Sequence, residues 1–283
     1  MEVHREENII PIKKKMTEIR RKRKAPVMHN YYMNCEQDDE IFALYGENTV
    51  VFWDFDRGVC RAYFYSSDQD ELQGLLAQVP DGTIIDYLTR TKGELQTLFE
   101  SAGWSQLYEM RRMTAGNLTQ ENEEKAQKRT ELFDLTLYRK DNVRVAVEED
   151  CDAIYDKLWE VFDARTSHLC TKAELLEFIR KQWVVVYYES NVFMGFQIFK
   201  IENKRFYGYQ IWSGAGAEAL YSMLRKSRLV YDDLMKDSPE IKGRVNFGWI
   251  DANNRTTVRL AEFWGDKFEG LYDFVYEKTP KDA

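Results

Sequence analysis

The sequence predicts an α/β chain of the α+β kind: a mixed, mostly antiparallel twisted sheet flanked by helices, present in two tandem copies of unequal length. Three observations carry this. Val184 to Glu189, Phe193 to Glu202 and Arg205 to Trp212 are apolar-rich strand runs joined by the turn dipeptides Ser190-Asn191 and Asn203-Lys204. Arg244 to Lys267 reads as strand, Asx-rich turn, short helix and glycine stop. A similar helix-to-strand passage recurs at Glu94 to Met113.

The decisive stretch is Arg244 to Lys267. Val245, Phe247, Trp249 and Ile250 give a half-buried strand with partial period-2 alternation, which Asp251 to Asn254 breaks. Val258, Leu260, Ala261 and Trp264 then fall at helical spacing, with Asn253 or Asn254 able to cap and Gly265 able to close.

That order resembles the closing motif of the GNAT superfamily, the CoA-dependent N-acyltransferases, in which an Asn after a strand is followed by Ala, Leu-Tyr and Gly-Phe at fixed offsets. Asn254 stands in the Asn position, Thr257 in the Ala position, Leu260 in the Leu position and Gly265 in the Gly position. Ala261 occupies the place where the family often has a tyrosine general acid, and Asp266 replaces the Phe. On the same template Leu95, Leu98, Phe99, Gly103 and Trp104 take the successive positions of the earlier copy, so the resemblance implies a tandem.

The domains expected are a basic amphipathic segment at 1–30, a reduced GNAT-like unit at 31–114, a charged linker with a helix around Glu121 to Lys128 at 115–142, and a fuller GNAT-like unit at 143–283. In the first, Pro11 opens a helix that places Ile12, Met16 and Ile19 on one face. In the second, Thr49 to Phe55 and Arg61 to Tyr65 flank an Asp56-Arg57-Gly58 hairpin turn, followed by a helix at Asp70 to Gln78 and a strand at Thr83 to Thr89. No glycine-bearing loop lies between Ser66 and Leu76, so CoA binding is not expected there.

The fourth unit reads as a strand at Val143 to Val147 and a helix capped by Asp150 or Asp152. A second helix begins at Thr171, and the three strands follow. After them come a long helical tract from Ala217 to Lys236, broken near Lys226, the strand and helix already described, and a closing strand at Leu271 to Lys278.

Composition narrows the function. The chain has 283 residues, 44% of them hydrophobic, enough for two modest cores. No run approaches the roughly 18 to 20 apolar residues of a membrane span, and the start lacks the apolar stretch of a signal peptide, so a soluble cytoplasmic protein is expected. Cys35, Cys60, Cys151 and Cys170 form no CxxC pair and read as buried thiols; with three histidines in all, no metal site is expected. The net charge of −8 argues against a nucleic-acid binder, except that Lys13 to Lys24 holds eight basic residues and one acid.

In GNAT enzymes a Q/R-x-x-G-x-G/A loop at a helix start receives the CoA pyrophosphate, because exposed backbone N–H groups and the positive dipole end attract the anion. Two stretches compete for that role. Trp212-Ser213-Gly214-Ala215-Gly216 has the glycine spacing, with Ile211 in place of the leading Gln or Arg. Arg225, Lys226 and Arg228 offer side-chain cations without glycines. The family's frequent glutamate on the fourth strand is missing, which leaves Asp251, Glu189, Tyr209 and Tyr231 as candidates for proton transfer.

The resemblance implies a transferase, an acetyltransferase in the first instance, moving an acyl group from acetyl-CoA or another acyl-CoA to a primary amine of a small molecule or peptide. A relative fed by a carrier protein or an aminoacyl-tRNA needs no nucleotide loop, and the basic N-terminal helix offers such an anionic carrier a surface. The missing glycines, glutamate and tyrosine equally fit the alternative, a catalytically silent tandem module that binds a ligand or partner.

Overall fold

The computed structural model describes residues 2–23, 25–31, 40–115, 142–202, 205–236, 246–263 and 266–280. The chain forms two compact units, Met1–Met110 with Leu271–Ala283, and Arg111–Gly270. The expected helix around Glu121 to Lys128 lies outside the described residues, as do Trp264, Gly265 and the Asn203-Lys204 turn.

The N-terminal unit begins with β1 (His4–Glu6), α1 (Ile10–Lys22) and β2 (Met28–His29). It continues with β3 (Ile41–Tyr45), β4 (Thr49–Asp56), β5 (Val59–Ser66), α2 (Gln69–Leu76), β6 (Ile84–Thr89), α3 (Gln96–Ser101) and the opening of β7 (Trp104–Ala115). The β4–β5 hairpin turns through Arg57 at φ 54° and Gly58 at φ 82°, the doubly positive geometry that the Arg-Gly pair allows.

β1, β3, β4 and β5 pair antiparallel in that order, and β5 meets β6 in parallel. One face carries α2 and α3, with Leu72, Leu75, Leu76 and Phe99 packed on Phe64 and Tyr87. The other carries α1, whose Ile12, Met16 and Ile19 cover Ala43, Val50 and Phe52. The apolar stripe predicted for this helix is therefore buried on the protein, and its basic residues face outward.

Leu271 to Lys278, expected to close the C-terminal unit, instead extends the N-terminal sheet. In β13 (Lys267–Lys278), Tyr272 to Glu277 pair antiparallel with Thr89 to Ile84. The physical reason is alternation: Phe274 and Tyr276 point into the N-terminal core, where Tyr276 stacks on Phe99 with ring centroids 4.4 Å apart.

The C-terminal unit holds β8 (Val143–Val145), a 3-10 turn at Glu148–Asp150, α4 (Cys151–Val161), α5 (Lys172–Arg180), β9 (Val184–Glu189), β10 (Val192–Glu202) and β11 (Arg205–Ser213). After these come α6 (Gly216–Leu234), β12 (Asn246–Asp251) and α7 (Arg255–Phe263). Thr171 caps α5 in a reciprocal box with Glu174, as its sequence suggests. Asp150 does not cap α4 by its side chain; it takes hydrogen bonds from Arg144, the Val147 amide and the Tyr188 hydroxyl. Burial pushes its carboxyl up, but these partners outweigh burial and hold it below the ordinary value.

β8 to β11 are antiparallel neighbours, and β12 joins β11 in parallel. Alternation divides the strands between two faces. Val184, Val186, Phe196 and Ile198 meet α4 and α5, whereas Val185 and Tyr187 meet Ala219 and Met223 of α6. The helix α6 runs unbroken through Lys226, so the predicted interruption is absent. Cys151 and Cys170 are buried and outside any disulfide, Cys60 is half-buried, and Cys35 lies outside the described residues.

Candidate functional site

A parallel strand pair requires a crossover, and here α6 supplies it between β11 and β12. The pairing is brief. Phe206 meets Asn246 and Tyr207 meets Phe247, and the register ends there. A Cβ placed on Gly248 would come 3.5 Å from the Gly208 carbonyl, so the backbones are still close at that level.

Immediately beyond, the β10–β11 ladder slips by one residue: Phe199 faces Gly208, Ile198 faces Gln210, and Tyr209 is the extra residue. A bulge of this kind bends its strand and increases its twist. It coincides with the point where β11 and β12 part. Because the two strands are parallel, their carboxyl ends, Trp212 to Ser213 and Ile250 to Asp251, stand at the same open end.

Two helices start at that end. α6 has Ala215 at its cap position with no side-chain cap, and Gly216 sits at φ +76° with open space around its Cβ direction. The first amides of this 19-residue helix therefore have no capping side chain. Gly214 has a different reason to be glycine: its amide donates to the Met194 carbonyl at 2.8 Å, and a Cβ would lie 3.1 Å from the Trp212 ring. Ser213 Oγ donates to the Gly216 carbonyl at 2.9 Å. Trp212 packs on Phe193 and Phe196, with Lys157 Nζ 5.0 Å from its ring centre.

At the start of α7, Asn254 Oδ1 accepts from the Thr257 amide at 3.1 Å, which makes it the cap anticipated from sequence. Asp251 Oδ1 accepts from the Asn253 amide at 2.8 Å, and the Asp251 carbonyl accepts from the Asn254 amide. Asp251 is thus a turn-former at the open end.

The cationic alternative does not form a loop. Arg225, Lys226 and Arg228 lie within α6, and the first of them is about 14 Å along the axis from Gly216. Backbone N–H groups inside a helix bond to carbonyls four residues back, so none is available to an anion. Arg228 lies over the rings of Phe206 and Tyr231, at 4.8 and 5.7 Å.

The proton-transfer candidates are scattered. Tyr231 is 2% exposed and edge-on to Phe206. Glu189 ends β9, two strands from β11, and accepts from the Tyr187 hydroxyl at 3.1 Å. Tyr209 lies on β11 beside Phe178, with Lys200 Nζ 3.6 Å from its ring centre. The structure brings together Tyr209, Trp212, Ser213, Gly214, Gly216, Asp251 and Asn254 on the strand pair and its two helix entries; Glu189, Tyr231 and the α6 cations fall elsewhere.

Sequence reasoning missed two features. The bulge at Tyr209 has no residue signature beyond the adjacent Gly208. In the sequence Asp266 stands out only as a departure from a motif, yet its Oδ1 is closed off from solvent without a hydrogen bond. Burial pushes its carboxyl up to about 6, against the opposing pull of Arg228. Among the described residues no cluster of His, Cys, Asp and Glu has the arrangement of a metal site, and no helix is long and apolar enough to cross a membrane.

Comparison with known proteins places this geometry. No protein-family model matches the sequence, and no curated protein matches it. Solved structures do. An acetyltransferase of the GNAT family from Colwellia psychrerythraea superposes with a TM-score of 0.52 at 10% identity, covering 99% of this chain and 100% of that one. A GCN5-related N-acetyltransferase from Sphaerobacter thermophilus gives 0.53 at 14% identity, over 88% and 84%. A tandem GNAT protein from the clavulanic acid biosynthesis pathway gives 0.51 at 10% identity, over 95% and 89%. At these identities the likeness concerns the fold, and the fold is the GNAT fold in tandem.

Proposed function

We propose that this GNAT-fold chain is an N-acyltransferase, an acetyltransferase in the first instance, that moves an acyl group from an acyl-CoA to a primary amine of a small molecule or peptide. The observation that carries the reading is the parallel pair of β11 and β12, which holds through two positions and then parts at the Tyr209 bulge. We read that parting as a slot in the C-terminal unit for an extended chain.

The residues at the slot suit a pyrophosphate-bearing ligand. The start of α6 has no capping side chain, its glycine leaves space for close approach, and the helix dipole favours an anion there. Gly216 and the amides after it would hold the phosphates, with Ser213 and Trp212 forming the near wall; Gly214 is committed to Met194. Bound acyl-CoA supplies the thioester carbonyl. The bulged main chain at Tyr209 is assigned to hold that carbonyl for attack, since oriented backbone dipoles act most strongly where charge develops.

The attacking amine must lose a proton. Asp251 is the carboxylate at the open end, and its Oδ2 accepts no hydrogen bond among the described residues. We assign it the proton-accepting role, directly or through a water. Tyr231 is too deeply packed to serve, and Glu189 lies across two strands. Positioning alone supplies a large part of the rate in such transfers, so one weak base is sufficient.

Thermal unfolding with acetyl-CoA, longer acyl-CoAs and free CoA tests the slot, because a ligand held by the folded state raises the melting temperature. A rise with acetyl-CoA supports the reading; no shift at about millimolar ligand, roughly a hundredfold above a workable dissociation constant, removes it. The second reading, a binding module without turnover, draws on the absence of an acid from the described part of β11 and on Ala261. It predicts the same thermal shift but no thiol release over a panel of amines.

A further inference from the structure

The densest run of basic residues in the sequence has no role in the proposed site. Lys13 to Lys24 contributes a local +7 to a chain of net −8, leaving −15 on the remainder. The described part of this run is α1, and its apolar stripe is already consumed by packing on β3 and β4. Lys13, Lys14, Arg20, Arg21, Lys22 and Arg23 are exposed, and their side chains have no ion-pair or hydrogen-bond partner among the described residues. Lys15 differs, donating to the Glu47 carbonyl at 3.1 Å.

The distribution does not serve the helix itself. Arg20, Arg21 and Lys22 in the last turn complement the dipole, but Lys13 and Lys14 stand near its positive end, where no acid offsets them. Cations there disfavour the helix, and clustered like charges repel one another. Residues seven apart return to nearly the same side of a helix, so Lys13 with Arg20 and Lys14 with Arg21 make two outward rows, each spanning about 10 Å.

We propose that the outward face of α1 docks an acidic helical surface of a partner protein. Charge complementarity sets the sign, and extent sets the class. The helix is 13 residues, about 20 Å, and it is the basic island on an otherwise acidic chain. An extended polyanion such as duplex RNA, or a planar anionic bilayer, would also face the −15 carried by the rest of the chain, which repels it. A bilayer also needs an apolar face to insert, and this helix has turned its own inward. A compact acidic helix meets the two cation rows alone.

The test uses the full chain and a fluorescent helical peptide carrying Glu at successive i, i+4 positions. Anisotropy at low salt should show saturable binding that weakens at least tenfold in K13E/K14E/R20E/R21E, with the melting temperature retained. If charge reversal unfolds the helix, the neutral K13Q/K14Q/R20Q/R21Q variant should still weaken binding by several-fold. Absence of peptide binding, equal binding by the neutral variant, or tighter binding of a duplex RNA or of phosphatidylserine vesicles at the same salt would overturn the proposal. Acetyl-CoA does not enter this measurement, so its result is independent of the slot.

Discussion

Among the described residues each unit has a parallel strand pair, β5 with β6 in the N-terminal unit and β11 with β12 in the C-terminal unit, and the two have opposite fates. The N-terminal pair is sewn shut by a side chain. Asn30, just after β2, accepts from the Phe64 amide at 2.7 Å and donates to the Ala62 carbonyl on β5 and the Asp86 carbonyl on β6, at 3.0 and 3.1 Å. One amide side chain thus stands in for the missing ladder between parted strands.

The helix that links the two strands of each pair tells the same story. α2 is capped by Asp68, has Asp70 and Glu71 in its first turn, and uses the Glu71 carboxylate to bind the amides of Glu47 and Asn48. Anions of the protein already occupy its positive end. α6 has no cap, and Glu218 is the acid in its first turn. The same architecture with its gap filled is a structural unit; with its gap left open it is the place of the ligand site proposed above.

The sharpest way to break this comparison is Asn30→Ala. It strands one amide and two carbonyls in a buried place, at about 1–3 kcal/mol each when water cannot repair them, so a loss of roughly 3–5 kcal/mol is expected in denaturant unfolding. A loss below about 1 kcal/mol would mean the strands close by themselves.

Each unit also shuts a carboxylate from water. Burial drives Asp273 well above the ordinary value, with Asp86 adding to the effect and Arg61 opposing it, whereas Asp266 rises to about 6. For Asp266 the folded state holds a proton between the ordinary 3.8 and about 6 that the unfolded chain has released. Stability therefore falls as pH rises through that window, and the full penalty remains above it. Asp266→Asn should stabilise the protein at pH 8 by about 2–3 kcal/mol and leave it unchanged near pH 3. Equal melting temperatures of the two proteins at both pH values would refute the assignment.

Gly216→Val forces a β-branched residue to φ +76°, which should lower stability by about 1–2 kcal/mol and weaken acetyl-CoA in the same thermal-shift titration. The smallest change imports the N-terminal unit's device into the C-terminal one. Ala215→Asp places a carboxylate at the open helix end and should weaken acetyl-CoA by about three- to tenfold, the order of a charge–dipole term, while raising stability by about 1 kcal/mol as a new helix cap. Unaltered affinity would move the phosphate site away from α6.

Much of the fold was legible because local chemistry enforces it. The Arg57-Gly58 and Ser190-Asn191 turns, the helix start at Thr171, the Asx cap that fell to Asn254 rather than Asn253, and the strand from Val184 to Glu189 are short-range features, and each formed as read. The site was legible only in part. Trp212 to Gly216 and Asp251 to Asn254 could be named as candidates, but not that parallel pairing puts them at one end of a strand pair. The basic triplet of α6 looked as promising from its side-chain charge, and the structure places it inside a continuous helix about 14 Å from Gly216.

The sequence by itself determined the turns, the caps, the faces of the strands and the repeat that announces two units, because these depend on residues a few positions apart. Only the tertiary structure decided that Asn30 closes one gap, that a one-residue slip at Tyr209 opens the other, and that Leu271 to Lys278 completes the N-terminal sheet. Those outcomes join residues far apart in the chain, where the winner among several apolar strands and polar side chains is set by packing and by which backbone groups would otherwise go without a hydrogen bond.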